Sequence, residues 1–429
     1  MLSNAGEVLT LKESVSQSMQ HNRQLLAASQ SVNQAKAMIK RAKGNRMPKI
    51  DMSTGWIYTN SPLQVFGNKL NQKSVSVADF SPNTLNHPSF QQNYQSRLGL
   101  SMPLFTGGAL SAAQKEAEAQ LEATALHFDF QKQQKMYQTI AVYIQARQSW
   151  EQIEVSKKSV EAAKKRWSDV VALKKKGMAI ASDAMLAHVY VLRRQVAVDE
   201  SSNNYQTNLE QLALLMGLST SREQPELSQA SVLMPEVSLE DLLLQAPEKR
   251  LDFLAMQQRL QSLSHSRQQA YASDLPQINL VASQDWNSTT VGLKNGSSSI
   301  GIMMRMNLFN GGADHAKQRV VESSYQALQW QIIDQRQTIN NEVRQAWRSH
   351  KLAQNRLQRE QEALKQTQEA LRILSLRYGQ GLETTASVLD AQVAMDISQV
   401  ARIRAQYDVI LANAALLLAA GLLSEKSIL

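Results

Sequence analysis

The sequence predicts a mainly α-helical protein assembled from two copies of one plan, each a long helical hairpin carried on a pair of short strands. Three observations lead there. Leu104-Phe105-Thr106-Gly107-Gly108 recurs as Leu308-Phe309-Asn310-Gly311-Gly312. Each copy is followed by a stretch free of both glycine and proline, from Ala109 to Lys176 and from Ala313 to Tyr378. A shift of 204 positions keeps the halves in register without a gap, through Gly177/Gly381 and Ala187/Ala391 to Gly217/Gly421. Upstream, Met47-Pro48-Lys49-Ile50 matches Leu275-Pro276-Gln277-Ile278 at a shift of 228, so the first copy holds 24 extra residues (228 − 204) between Pro48 and Phe105. The sequence therefore divides into two structural repeats, 1–218 and 238–429, with a Pro-containing linker at 219–237.

Each repeat begins with a helix, about 10–46 and 238–273, that stops ahead of Pro48 or Pro276 because the residue before a proline disfavours helix. Alternating runs follow at about 49–58, 97–105, 277–286 and 299–308. Ile50, Met52, Trp56 and Tyr58 share one face of the first; Leu98, Leu100, Met102 and Leu104 share one face of the second. Ile278, Leu280, Ala282 and Trp286 do so in the third, and Ile300, Ile302, Met304, Met306 and Leu308 in the fourth. Period-two patterning over about ten residues has the length and alternation of a membrane β-strand; a small soluble hairpin fits the pattern equally. The 59–95 stretch reads as a loop that carries the extra residues.

After each Gly-Gly pair nothing stops a helix for about 67 residues, roughly 100 Å at 1.5 Å per residue. Ile153, Val160 and Trp167 recur every seven residues within the first, and Leu357, Leu364 and Leu371 in the second, as coiled-coil seams do. The long helices span about 109–176 and 313–378. Gly177 and Gly379/Gly381 interrupt them, and helices at about 183–216 and 386–420 return, closing at Gly217 and Gly421.

Composition narrows the function. Apolar residues are 43% and aromatics 6%, a balance that favours long helices. There is no cysteine, so no disulfide and no Cys-ligated metal, and the seven histidines show no ligand spacing. No metal and no cofactor are expected. The net charge of +9 is spread along helices among Glu and Asp, which reads as solvated faces and not as a nucleic-acid surface. No phosphate loop, nucleophile elbow or metal cluster points to an enzyme. No window reaches the roughly 18 apolar residues of a spanning helix; the nearest, 409–423, is broken by Asn413. The start lacks a basic-then-apolar signal, so the expectation is either a cytoplasmic protein or a mature chain with an added Met1.

Four strands are too few for a spanning barrel, which begins at about eight, so a membrane barrel must be shared between subunits. Three chains would give twelve strands and a ring of twelve helical columns around a channel. With both Leu-Phe-x-Gly-Gly punctuations, both hairpins, and Arg377-Tyr378-Gly379-Gln380-Gly381-Leu382-Glu383-Thr384 leading to Val388-Leu389-Asp390-Ala391, the chain resembles the TolC-type outer-membrane efflux channel family over nearly its whole length. The resemblance implies a homotrimer with a twelve-stranded β-barrel in outer-membrane lipid and a periplasmic α-helical tunnel, in a Gram-negative bacterium. It further implies a periplasmic adaptor and an inner-membrane pump of RND, ABC or MFS type as partners, exporting drugs or, in type I secretion, proteins. The competing class is a coiled-coil scaffold with no pore, which leaves the four alternating strands without a purpose.

The same resemblance assigns a gate to the periplasmic tip. Tyr378 matches the family's linking tyrosine, Asp390 the second aspartate of the inner helix, and Asp183 its partner in the first repeat. Glu383 stands where the prototype has arginine, and Ser387 where it has the first ring aspartate. Gly177, Met178, Gly379, Gly381 and Leu382 form the turns expected to contact the adaptor. From the residues alone, Asp390 and Asp183 serve equally as helix caps, and Tyr378 as the seal of the last heptad. Lys174-Lys175-Lys176 reads as a solvated helix end, with adaptor docking as its alternative. Gly107, Gly108, Gly311 and Gly312 are expected where strand passes to helix, since glycine bends there without a Cβ clash.

Overall fold

The structure, a computed structural model, describes residues 8–218 and 226–428. The first part of the predicted linker, 219–225, lies outside the described residues. The chain divides into two compact units: one of Met1–Val32, Ala123–Met256 and Gln331–Leu429, the other of Asn33–Glu122 and Gln257–Trp330.

Helix α1 (Leu11–His21) opens with a reciprocal cap in which the Thr10 hydroxyl accepts from the Glu13 N–H and the Glu13 carboxylate from the Thr10 N–H. It does not continue to 46. The chain breaks at Asn22 and resumes as α2 (Arg23–Gly44), and the helix expected over 238–273 breaks likewise at Arg250 into α7 (Leu239–Lys249) and α8 (Leu251–Tyr271). The two breaks are related by the 228 shift and have the same extended backbone, φ −62° and ψ 119° against φ −68° and ψ 111°. Their cause is tertiary. The Asn22 Oδ1 accepts the N–H groups of Gln24 and Leu25 (3.0 and 3.2 Å), capping α2, while its Nδ2 donates to the Leu215 carbonyl (2.9 Å). Arg250 Nη1 donates to the Ala419 carbonyl (3.2 Å). Leu215 and Ala419 end α6 (Ala181–Leu215) and α10 (Thr385–Ala419), so each break supplies a donor to a carbonyl that its own helix leaves unpaired.

The same two helix ends are closed by Gly217 and Gly421, at φ +73° and +72°. The Leu218 N–H reaches back to the Ala213 carbonyl (2.9 Å) and the Leu422 N–H to that of Leu417 (2.7 Å). A Cβ on Gly217 would stand 2.2 Å from the His21 carbonyl oxygen, and one on Gly421 2.7 Å from the Lys249 carbonyl carbon. No side chain fits between these helix ends.

The long helices are α5 (Ala109–Lys175) and α9 (Ala313–Gly379); their bounds differ by 204 at both ends, as do those of α6 and α10. In the first unit the middle of α5 carries Ile140, Tyr143 and Ile144 into a core shared with Leu11, Leu212, Ile403 and Leu417. The Tyr143 hydroxyl there sits 2.8 Å from the Leu9 carbonyl oxygen, 3.0 Å from that of Ser228 and 3.2 Å from the Ser228 hydroxyl. Of the heptad residues only Ile153 is buried within one chain; the others are half-covered.

The second unit holds one antiparallel sheet in the order β1 (Lys49–Thr59), β2 (Gln91–Phe105), β3 (Gln277–Ser288), β4 (Gly296–Arg305). β2 pairs with β3, so the strands of the two halves form a single sheet. β2 begins at Gln91, ahead of the expected 97. β4 stops at Arg305 and not at 308, because its partner begins at Gln277, just after Pro276, which has no N–H to extend the ladder.

Register sorts the faces. Ile50 lies opposite Leu100, Leu100 opposite Ala282, and Ala282 opposite Ile300; Met102, Leu280 and Ile302 form the next row. On the other face Ser53, Arg97, Asp285 and Ser297 align, with Arg97 Nε 2.5 Å from Asp285 Oδ1. The apolar face is bare in one chain, with Ile50 66% and Ile300 78% exposed. Aromatics gather at its loop end, where Trp56 stacks on Tyr58 and meets Tyr94.

The stretch read as a loop between β1 and β2 contains α3 (Pro62–Asn71) and α4 (Pro82–Asn86). Lys69 pairs with Asp79 (2.5 Å) and, with the Ser76 N–H and hydroxyl, holds that carboxyl down to about 2. At the junctions, Gly107, Gly108, Gly311 and Gly312 all have positive φ, from +56° to +85°. The first pair lies between Phe105, the end of β2, and Ala109; five residues, 306–310, separate the second pair from β4.

Candidate functional site: the hairpin tips and the clasps beneath them

Both hairpins turn with the same bonds. The Met178 N–H donates to the Leu173 carbonyl (2.9 Å) and the Leu382 N–H to that of Arg377 (3.0 Å), with Gly177 and Gly381 each at φ +73°. Gly379 ends α9. Met178 and Leu382, 71% and 63% exposed, leave each turn with a free apolar side chain. Lys174, Lys175 and Lys176 are exposed at the end of α5.

The second turn collects three of the five expected gate residues. Thr384 caps α10 by accepting the Ser387 N–H (3.1 Å), and its hydroxyl lies 2.8 Å from that of Ser387. Glu383 accepts the Thr384 N–H (3.2 Å) and stands 3.7 Å from Arg377 Nε; the Ser387 side chain first, then that N–H, hold its carboxyl below the usual value. The Tyr378 hydroxyl lies 3.2 Å from that of Thr385. Tyr378, Glu383 and Ser387 thus brace one turn. Asp183 and Asp390 are not drawn in: neither forms a hydrogen bond or ion pair among the described residues. Asp390 is exposed on the second turn of α10, whose cap is Thr384, so the capping role does not belong to it. Asp183 sits in the first turn of α6, near the positive end of that helix.

A buried polar cluster that the sequence reading does not include lies further along α10. Asp396 is 2% exposed. Its Oδ2 accepts from the Tyr190 hydroxyl and from Arg194 Nη1 (3.2 Å); its Oδ1 accepts from Ser159 and Gln392 (both 3.2 Å). Donors from α5, α6 and α10 therefore meet on one carboxylate, tying the two hairpins of a chain together. Burial first, and then the bond to Asp396, push the Tyr190 phenol up, so it stays a donor. A second clasp joins α5 to α10: Glu151 accepts from the Tyr407 hydroxyl (2.9 Å) and Arg402 Nη2 (3.2 Å). The sequence carried a signal for the first clasp. The 204 shift pairs Asp396 with Leu192, Tyr190 with Ala394 and Arg194 with Ser398, so the cluster falls where the halves differ.

Among the described residues no helix is long and apolar enough to cross a membrane and no acidic or histidine group forms a metal site. A sheet apolar on one face and polar on the other, continued by two long helical hairpins, defines a channel-forming chain of the combined β-barrel and α-barrel type. Comparison with family profiles matches residues 14–218 and 242–422 to the outer membrane efflux proteins, and the chain belongs to that family. Solved structures agree on the fold. A membrane protein from Pseudomonas aeruginosa superposes with a TM-score of 0.83 at 20% identity, covering 96% of this chain and 93% of that one. CusC does so at 0.82 and 17%, covering 98% and 95%. The outer membrane protein VceC from Vibrio cholerae does so at 0.81 and 18%, covering 96% of each chain. A search of curated sequences finds no match.

Proposed function

We propose that the chain is the exit duct of a tripartite efflux or type I secretion system, a homotrimer in the outer membrane of a Gram-negative bacterium that reaches into the periplasm. One observation carries the reading: the sheet has an uncovered apolar face and two open edges, β1 and β4. Because strand direction alternates across the four, β4 of one copy meets β1 of the next antiparallel again, and three copies close twelve strands with the apolar face toward lipid. The units that combine are the repeats 1–218 and 238–429 with the segment 219–237 between them. Gly107-Gly108 and Gly311-Gly312 are the bends between barrel and helices. An inner-membrane pump of RND, ABC or MFS type delivers drugs, other small molecules or proteins through a periplasmic adaptor, which meets the exposed turns at Gly177-Met178 and Gly379–Leu382.

The tip gates this duct. Tyr378, Glu383 and Ser387 fix the turn, Asp183 bonds to a neighbouring hairpin, and Asp390, exposed and unpaired among the described residues, joins two copies of itself in an acidic constriction that favours cations. The test is conductance in planar bilayers. The parent protein should form cation-preferring channels, and Asp390→Asn, which removes three charges from the trimer, should weaken that preference and the block by multivalent cations. Channels with unchanged selectivity would take Asp390 out of the constriction; a parent protein that never conducts would contradict the duct itself.

A further inference from the structure

The residues that the first half holds in excess fold over one face of the sheet. By alternation and register, Thr59 of β1, Asn93 of β2 and Asn287 of β3 share the polar face with Arg97 and Asp285. The segment leaving β1 is bonded to that face strand by strand. The Thr59 hydroxyl donates to Gln64 Oε1 in α3 (3.1 Å). Gln72, just past the end of α3, donates through Nε2 to Asn93 Oδ1 (2.9 Å) and to the Gln92 carbonyl (3.0 Å), and accepts from Gln91 Nε2 (3.2 Å). Asn93 Nδ2 passes the chain on to Asn287 Oδ1 (2.8 Å).

Neighbouring strands lie about 4.8 Å apart, so a segment that starts on β1 and is pinned above β2 in line with β3 crosses the sheet and does not extend it. Gln72, Asn93 and Asn287 are 5%, 2% and 3% exposed, so the amide cluster is covered and its members are bonded to one another. Lys69–Asp79 and the edge-on contact of Phe66 with Phe80 (5.6 Å) fold the return segment back on α3. The second half has only 289–295 at this place.

We infer that residues 60–90 form an inward-folded collar that narrows the outer mouth of the pore and limits the size of solute that leaves. The inference rests on the duct reading, in which the polar face lines the lumen. A helix about 10 Å across laid on that face takes its thickness from the lumen, and a three-fold assembly takes it three times. Lys69 and Asp79 neutralise each other, and Lys73 leaves the collar one net positive charge per chain, so it restricts chiefly by size.

Two variants test it in planar bilayers. One replaces 60–90 with a copy of 289–295; the other is Gln72→Ala with Asn93→Ala, which unpins α3 and leaves the strands intact. The graft should raise single-channel conductance roughly twofold, and the unpinned variant should flicker between the parental level and a higher one. A graft that conducts at the parental level overturns the collar and leaves the duct reading standing. If the graft fails to insert, the unpinned variant decides, and a steady parental conductance overturns the collar. If parent and variants alike fail to conduct, the duct reading has failed and the collar falls with it.

Discussion

Gly217→Ala is expected to destabilise the first unit by roughly 3–5 kcal/mol, whereas Gly177→Ala, at the same backbone angle, should cost only about 1–2 kcal/mol. Both glycines end helices at φ +73°, so the penalty for placing an L side chain in the left-handed region is common to them. The surroundings differ. Around Gly177 a Cβ meets nothing within 4 Å, while at Gly217 it overlaps the His21 carbonyl oxygen at 2.2 Å. That oxygen belongs to the last residue of α1, whose position is fixed in turn by the bond from Asn22 to Leu215. Relief requires the ends of α1 and α6 to part, which breaks that bond too. The second half offers an internal repetition: Gly421→Ala should behave like Gly217→Ala, and Gly381→Ala like Gly177→Ala. Thermal unfolding of the four variants in detergent checks the order. Equal losses at all four sites would mean that the backbone angle alone matters and that the close approach at the breaks has no energetic weight.

Asp396→Ala carries the second large effect, a loss of about 2–4 kcal/mol together with a looser tip. The substitution strands the buried Tyr190 hydroxyl and leaves Arg194, with 22% of its side chain exposed, short of its only acidic partner in the cluster. Asp199→Ala, on the exposed face of α6, is the control and should change stability by less than about 0.5 kcal/mol. A double-mutant cycle with Tyr190→Phe should return a coupling of roughly 1.5–3 kcal/mol, the range for a hydrogen bond to a charged group. Because the clasp joins the hairpins of one chain near their turns, its loss should also raise channel conductance. An Asp396→Ala protein as stable as the Asp199 control would contradict the clasp.

The long helices were legible because their limits are local. Gly177, Gly217, Gly381 and Gly421 end them, and no proline or glycine interrupts α5 before its end, so the bounds fell within a few residues of expectation. The breaks at Asn22 and Arg250 were not legible. Each is set by a carbonyl far along the chain, Leu215 and Ala419, and neither a lone Asn nor a lone Arg in a helical pattern announces such a partner. The start of β2 was missed for a similar reason: Gln91–Ser96 shows no apolar alternation, since Gln72 covers its polar face and only Tyr94 marks the other. At the tip, Tyr378, Glu383 and Ser387 came from resemblance and do meet in one turn. Asp396 escaped because a single acid inside a helix reads as a solvated face, and only comparison with Leu192 in the first half sets it apart.

The central claim is that four strands with two open edges close only in company with other copies. The direct measurement is the protein mass of the purified complex in detergent by light scattering, after correction for bound detergent. The account predicts three times the 47.9 kDa chain, and aggregation once detergent is removed. A monodisperse 47.9 kDa species, stable in detergent-free buffer, would contradict it.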